Sequence, residues 1–243
     1  MRRRNRANHA GVRSRVLLRQ TGRILGAMNT AWLAGASGLV GSQLLSCLLD
    51  APQFATVVSL GRKPLAVVSP KLTQRSVDFS ALDVAGLAPP DVAFCALGTT
   101  IAKAGSKEAF RAVDHDAVLA FARAALGAGA RSFLVVTALG ANPKSRVFYS
   151  RVKGDIEADL RALGFASLVI AQPSLLMGER AESRPIERAA VVASRLFGGL
   201  LKPFASRPIE ANVVARALVA VAQASPPGVT VYPSGQLQTL GAG

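Results

Sequence analysis

The chain has 243 residues, enough for one α/β domain of ordinary size and too few for two large ones. Half of the residues are hydrophobic, so a sizeable core is available, and two cysteines, Cys47 and Cys95, exclude a disulfide framework or a cysteine zinc site. With His9 and His115 as the only histidines, a histidine metal cluster is excluded too, and no metal is expected. The cysteine usage suits a reducing compartment, and a cytoplasmic location is expected.

A formal net charge of +15 suggests a nucleic-acid partner until it is located. Arg2, Arg3, Arg4, Arg6, Arg13, Arg15, Arg19 and Arg23 all precede Met28, with no acidic residue among them. Without them the body keeps +7, so no specific nucleic-acid partner is expected. Residues 1–28 carry no strand pattern and stand open to three readings. Translation starts at Met28, or the leader is a disordered basic tail for anionic surfaces, or it is an Arg-rich, acid-poor organelle presequence. No stretch reaches the roughly 18 uninterrupted apolar residues of a membrane span. The nearest, Ala189 to Ala205, is broken by Arg195 and Lys202.

Trp32 to Ala34 read as a short buried strand, and Gly35, Gly38 and Gly41 punctuate the turn that follows. Leu39 to Leu49 then carry Leu44, Leu45, Leu48 and Leu49 on or near one helical stripe. A strand, a glycine turn and a helix opening at that turn make a dinucleotide-phosphate site. The glycines allow backbone angles and close approach that a side chain would block, and the helix start offers N–H groups to a pyrophosphate. A purely structural glycine turn is the alternative.

Ala55 to Leu60 form a second strand, ending in Gly61-Arg62-Lys63-Pro64, and Gln74 to Phe79 a third. Val92 to Leu97 are the fourth, stopping at Gly98-Thr99-Thr100. Lys107 to Leu126 predict one long helix, Ser132 to Thr137 a fifth strand, Arg146 to Leu163 a helix, and Ser167 to Ala171 a sixth strand before Pro173. Strands alternating with helices mean a parallel sheet covered on both faces, with sites at the carboxyl ends of the strands. Gly35, Arg62, Asp78, Gly98, Thr137 and Pro173 fall at such ends and are expected to share one cleft.

Beyond Pro173 the rhythm changes. Gly178 to Pro185 read as a loop, Ile186 to Leu201 and Ala211 to Ala224 as helices, and Val229 to Tyr232 as a last short strand. These elements, from about residue 174, form a small cap on a single domain spanning 29–243. Leu175, Leu176, Met177, Ile186 and Phe197 suggest a partly apolar pocket, and Gly241-Ala242-Gly243 are expected to fray.

Tyr149 and Lys153 lie four apart near the start of the helix after the fifth strand, hence on one helix face. A lysine cation beside a phenol favours the phenolate and eases proton exchange with a substrate oxygen. Lys153 can also hold a ribose. Thr137 either donates a hydrogen bond to a substrate carbonyl or merely closes its strand. Arg62 and Lys63 stand where enzymes specific for NAD usually place an acid, and a guanidinium suits a 2′-phosphate. Asp78, with Phe79, either touches adenine or forms a turn. Asp114, His115 and Asp116 occupy consecutive helix positions and so face different ways, which favours a solvated face.

Several stretches occur together between about Thr30 and Ala224. They are Gly35-Ala-Ser-Gly-Leu-Val-Gly41, Gly61-Arg62, Leu97-Gly-Thr-Thr100 with Lys103-Ala-Gly105, Val113-Asp114, Ala138-Leu-Gly-Ala141 and Phe148-Tyr-Ser-Arg-Val-Lys-Gly154. To these add Pro173 with Gly178-Glu-Arg180 and Glu182-Ser-Arg-Pro185. The combination resembles the atypical short-chain dehydrogenase/reductase superfamily, and more narrowly its TIP30-like oxidoreductase group.

That resemblance implies a Rossmann-type, doubly wound parallel sheet binding NADP(H) in preference to NAD(H). Gly35, Ser37, Gly38, Leu39 and Val40 would meet the pyrophosphate and Arg62 the 2′-phosphate. Leu97, Gly98 and Thr99 would line the nicotinamide side, and Tyr149 with Lys153 would be the reductase pair. Gly41, Lys63, Asp78, Phe79 and Pro173 complete the expected cofactor-binding set. Family members often carry serine where this chain has Thr137-Ala138; Thr137 could substitute and Ala138 could not. The implied activity is hydride transfer to or from a carbonyl or activated double bond of a small-molecule substrate. The alternative is a cofactor-sensing regulator with little turnover, since members of the group have been described as regulators. Sugar-nucleotide epimerisation is disfavoured because the region after Pro173 is short. A homodimer is compatible with the sequence, which does not decide it.

Overall fold

The computed structural model describes residues 30–177 and 207–242. In chain order the first half runs β1 (Thr30–Ala34), α1 (Leu39–Asp50), β2 (Thr56–Gly61), β3 (Leu72–Ser76) and β4 (Val92–Cys95). Two short helices follow, α2 (Ile101–Ala104) and α3 (Lys107–Arg111), then a π-helical turn (Ala112–Asp116) that runs into α4 (Ala117–Gly127). Next come β5 (Ser132–Val136), α5 (Phe148–Ala162), β6 (Ser167–Gln172) and two-residue strands β7 (Leu176–Met177) and β8 (Ile209–Glu210). The described chain closes with α6 (Ala211–Ala224), β9 (Gly228–Pro233) and α7 (Ser234–Gly241).

Seven strands form one sheet in the order β3-β2-β1-β4-β5-β6-β9, every neighbouring pair parallel. The order runs outward from β1 in both directions, so the topology reverses between β1 and β4. In such sheets the crevice at that reversal is the binding position. Register sharpens the point: Ala34 pairs with Leu60 on one side and Cys95 on the other. The segments leaving β1, β2 and β4 therefore emerge side by side.

The alternation of side chains along β1 divides the core. Ala31 and Leu33 face a layer with Leu44 and Leu48 of α1 and Val214 and Leu218 of α6. Trp32 and Ala34 face Phe121 and Ala122 of α4 and Ile156 and Leu160 of α5. All of these side chains are buried, and Trp32 also donates its indole N–H to the Ala88 carbonyl at 2.9 Å. Helices thus cover both faces of a Rossmann-type sheet, as the alternating pattern predicts.

Four sequence expectations are corrected. The third strand is Leu72–Ser76 rather than Gln74–Phe79, because Phe79 starts a short 3-10 turn capped by Asp78. The helix expected over Lys107–Leu126 is interrupted by the π-helical turn. The last strand is an integral edge of the main sheet, paired with β6 over Gly228–Pro233. Gly241 does not fray: it ends α7 and its carbonyl accepts from Arg216 Nε at 2.8 Å, while Gly243 lies outside the described residues. The expected loop 178–185 and the helix 186–201, with Ile186 and Phe197, lie outside the described residues, as does the basic leader.

Phe94, fully buried on β4, meets Phe54 edge-on with ring centroids 6.2 Å apart. Phe94→Ala is expected to destabilise the chain by about 3–5 kcal/mol in denaturant unfolding. Val68→Ala, at a side chain 96% exposed, should change stability by less than about 0.5 kcal/mol.

Candidate functional site

The turn after β1 is built by close packing. Gly35 has φ 89°, and a Cβ there would lie 2.5 Å from the Ala96 carbonyl carbon and 2.7 Å from the Leu97 nitrogen. A Cβ on Gly41 would overlap the Gly35 carbonyl oxygen. Glycine is thus required twice, once for the backbone angle and once for the contact. The Gly38 N–H donates to the Gly35 carbonyl at 2.9 Å, tightening the turn. Gly38 caps α1 without a side-chain hydrogen bond, and the first turn holds no acid. The N–H groups opening α1 are therefore uncapped by side chains and carry the positive end of the helix dipole.

A cleft of about 570 Å³ opens along the carboxyl ends of β1, β2 and β4. Gly35, Ser37 and Gly38 line its floor, and Leu97 and Gly98 one end. Arg62, Lys63, Asp78 and Phe79 form the other end. Asp78 is partly committed: it accepts from the Ser80 N–H at 2.9 Å and the Ser80 hydroxyl at 2.8 Å. The Ser80 backbone N–H holds its carboxyl below the usual carboxylate range. Ala112, Val113 and Asp116 of the π-helical turn and Ala117 and Ala120 of α4 also line the cleft, none of them expected there as cofactor contacts.

Other expected residues sit elsewhere. Val40 is buried in the core, and Leu39 packs against it. Pro173 is buried, and its carbonyl accepts from the Leu139 N–H at 2.9 Å. Thr137 is spoken for. Its hydroxyl donates to Glu157 Oε1 at 2.6 Å and sits 3.3 Å from the Ala171 carbonyl, all out of contact with solvent. Glu157 also takes the Gln172 amide at 2.9 Å, so it ties the ends of β5 and β6 to α5. This carboxylate was missed, though it lies four residues beyond Lys153 on the same helix face.

Asp114 and His115 were expected on a solvated face, and both are buried. The π-helical turn is the reason: widening the helix by a residue brings neighbouring positions inward together. Asp114 Oδ1 pairs with Lys153 Nζ at 2.8 Å, with side chains 1% and 6% exposed. Its second oxygen accepts the Thr99 N–H at 2.8 Å. His115 bridges Asp116 at 2.7 Å and Asp159 of α5 at 2.9 Å. Arg111 reaches Asp155 of α5 at 2.9 Å. The turn is thus clasped to the helix that carries Tyr149.

Gly98 connects this pair to the cleft. A Cβ on it would stand 3.5 Å from Asp114 Oδ1 and 4.0 Å from Lys153 Nζ. Tyr149 packs beside Phe110, ring centroids 5.6 Å apart. Burial pushes its phenol up, Lys153 pulls it back, and Asp114 adds to the rise; the outcome is upward. The expected activation by an isolated lysine charge is therefore not what the site contains. Burial pulls the Lys153 ammonium down, but Asp114 and then Tyr149 outweigh it and leave it above the ordinary lysine value. Burial pushes the nearby Cys95 thiol up to about 12, which makes it a packing group and no nucleophile. Among the described residues no cluster of side chains could hold a metal ion. No described helix is long and apolar enough to cross a membrane.

The cradle fits a dinucleotide: a glycine floor too tight for a Cβ, uncapped helix N–H groups, and cations at one end of an elongated cleft. No protein-family model matches the chain. It is similar to the mitochondrial protein Fmp52 of Aspergillus clavatus, 39% identical over 199 residues that cover 77% of this chain and 84% of that one. Among solved structures it is similar to MoeE5 in complex with UDP-glucose and NAD, with a TM-score of 0.64 at 17% identity, covering 88% of this chain and 81% of that one. The human epimerase family protein SDR39U1 with NADPH gives a TM-score of 0.58 at 19% identity, covering 88% and 79%. At such identities the structures speak for the fold alone.

The relatives correct the expected compartment. The Aspergillus protein, like a similar one from Coccidioides immitis, is named mitochondrial, which overturns the cytoplasmic placement. Two cysteines say only that the chain needs no disulfides. By sequence the chain belongs to the Fmp52 family, and its fold is a Rossmann-type parallel α/β sheet.

Proposed function

We propose that the protein is an NADPH-binding oxidoreductase acting on a carbonyl or activated double bond. The observation that carries this reading is a single cleft joining the glycine turn to Gly98, which borders the buried Lys153–Asp114 pair. Backbone N–H groups at the start of α1 would receive the pyrophosphate, and Arg62 with Lys63 a 2′-phosphate. Bound there, the nicotinamide dinucleotide supplies a hydride or accepts one. The chain's own residues do the rest. Gly98 leaves room above the ion pair, Lys153 keeps donors to spare for a ribose hydroxyl, and the Tyr149 phenol exchanges a proton with the substrate oxygen. Following the names of its relatives, we take mitochondria as the compartment in which the substrate is to be sought.

A second reading is a cofactor-sensing protein with little turnover, and one observation favours it. Thr137 spends its hydroxyl on Glu157, and Ala138 has none, so neither residue offers the hydrogen bond that a substrate carbonyl would use. Catalysis by Tyr149 would proceed without that help.

Tyr149→Phe should lower NADPH-dependent reduction of an aldehyde and ketone panel by at least about a hundredfold while leaving NADPH affinity within about threefold. Unchanged turnover would remove Tyr149 from the chemistry. Arg62→Ser should weaken NADPH binding by about tenfold or more and leave NADH binding unchanged, read by calorimetry. Equal losses for both cofactors would show that Arg62 does not read the 2′-phosphate. Tight NADPH binding by the unaltered protein, with no consumption across the panel, would favour the sensor.

A further inference from the structure

We propose that Asp114 sets the direction of the site's proton: by pairing with Lys153 in a buried position it offsets that lysine's charge and helps keep Tyr149 a phenol, so that the site serves reduction. The direction of reaction rests on the oxidoreductase reading above; the effect of Asp114 on Tyr149 does not.

The argument begins with cost. Two charges taken out of water lose much of their hydration, and they persist only when paired and fully hydrogen-bonded. Asp114 meets both conditions, with Lys153 Nζ at 2.8 Å on one oxygen and the Thr99 N–H at 2.8 Å on the other. Its side chain is 1% exposed. A neutral amide could accept the same N–H bond, so hydrogen bonding alone does not call for an acid here. What the acid adds is a compensating charge.

That charge matters because of what else faces Tyr149. Lys153 lies one turn along the same helix, and Asp114 faces it from the π-helical turn. Cys95 on β4 is a neutral thiol. The Phe110 ring of α3 packs against Tyr149 and also meets Phe148, over which the cations Lys107 and Arg151 sit 5.6 and 5.9 Å from the centroid. A lone lysine cation would favour the phenolate. Paired with Asp114 it keeps only part of that pull, and burial then favours the neutral phenol. Burial outweighs what is left of the lysine's pull, and the Tyr149 phenol is pushed above its ordinary value.

A phenol that holds its proton is suited to giving it. In reduction the carbonyl carbon takes a hydride from reduced nicotinamide, and its oxygen takes the Tyr149 proton. The phenolate left behind regains a proton from water, and the ledger closes. Oxidation of an alcohol would need the phenolate first, which this arrangement disfavours at neutral pH.

The chain has two tyrosines, Tyr149 and Tyr232. In a Tyr232→Phe background the near-ultraviolet phenolate absorbance therefore reports Tyr149 alone. Its midpoint should lie above the ordinary value of about 10. Asp114→Asn should bring it down by about one pH unit or more, and Asp114→Asn with Lys153→Met should return it to within about half a unit of the parent. A parent midpoint below about 10, or no change with Asp114→Asn, would overturn the proposal, and the parent titration decides even if a variant fails to fold. Midpoints as expected with no carbonyl reduction at all would instead overturn the oxidoreductase reading, and with it the claim about direction. Charge compensation at Tyr149 would then stand by itself.

Discussion

The contact on which the cleft depends is that of Gly35 with the backbone of Ala96 and Leu97. No side chain fits between the turn after β1 and the chain leaving β4. That approach brings the start of α1 against the crevice where the sheet order reverses, and Gly41 allows the helix to begin directly over the turn. Strand pairing does the rest. With Ala34 in register with both Leu60 and Cys95, the residues following β2 and β4 have nowhere to go but the two ends of one crevice. Arg62 and Gly98 are therefore placed by the sheet, and their roles follow from where the sheet leaves them.

Around this rigid floor the chain invests in polar burial that stability alone does not explain. An ion pair in a dry interior is at best weakly stabilising compared with apolar packing of the same volume. Here Asp114–Lys153 lies against the cleft, and Arg111–Asp155 and His115 with Asp159 fasten the same turn to the same helix. Deleting one residue would restore a regular helix here and lose the inward aim of Asp114. The Glu157 cluster makes a parallel case one turn further along α5, where Thr137 and Gln172 converge on one carboxylate. Both arrangements hold α5, and so Tyr149, at a fixed height above the strand ends.

Much of this was legible in the sequence, for a physical reason. Strands β1, β4, β5 and β6 are buried on both faces, so they read as continuous apolar runs and their positions were found to within a residue or two. Strand β3 sits at the edge with mostly exposed residues, and its polar Leu72–Ser76 run lost out to the more apolar Val77 and Phe79. The glycine turn was legible because only its spacing matters. Asp114 and His115 were not, since a helix of uniform period sends consecutive residues to different faces and nothing local announces a π-helical turn. The fate of Thr137 was hidden as well: its partner lies twenty residues away on another element, and only the folded chain brings them together. A useful signal was nonetheless present, because Tyr149, Lys153 and Glu157 repeat at the four-residue spacing that marks one helix face.

Membership of the Fmp52 family and the Rossmann fold leave one claim at the centre, that the crevice over Gly35 holds a phosphorylated nicotinamide dinucleotide. The most direct measurement is a fluorescence titration of purified protein with NADPH, alongside Gly41→Val as a fold-checked control. Saturable binding with one site per chain, abolished by filling the turn, is the predicted result. Absence of saturable binding to the unaltered protein, or equal binding by the control, would contradict the account.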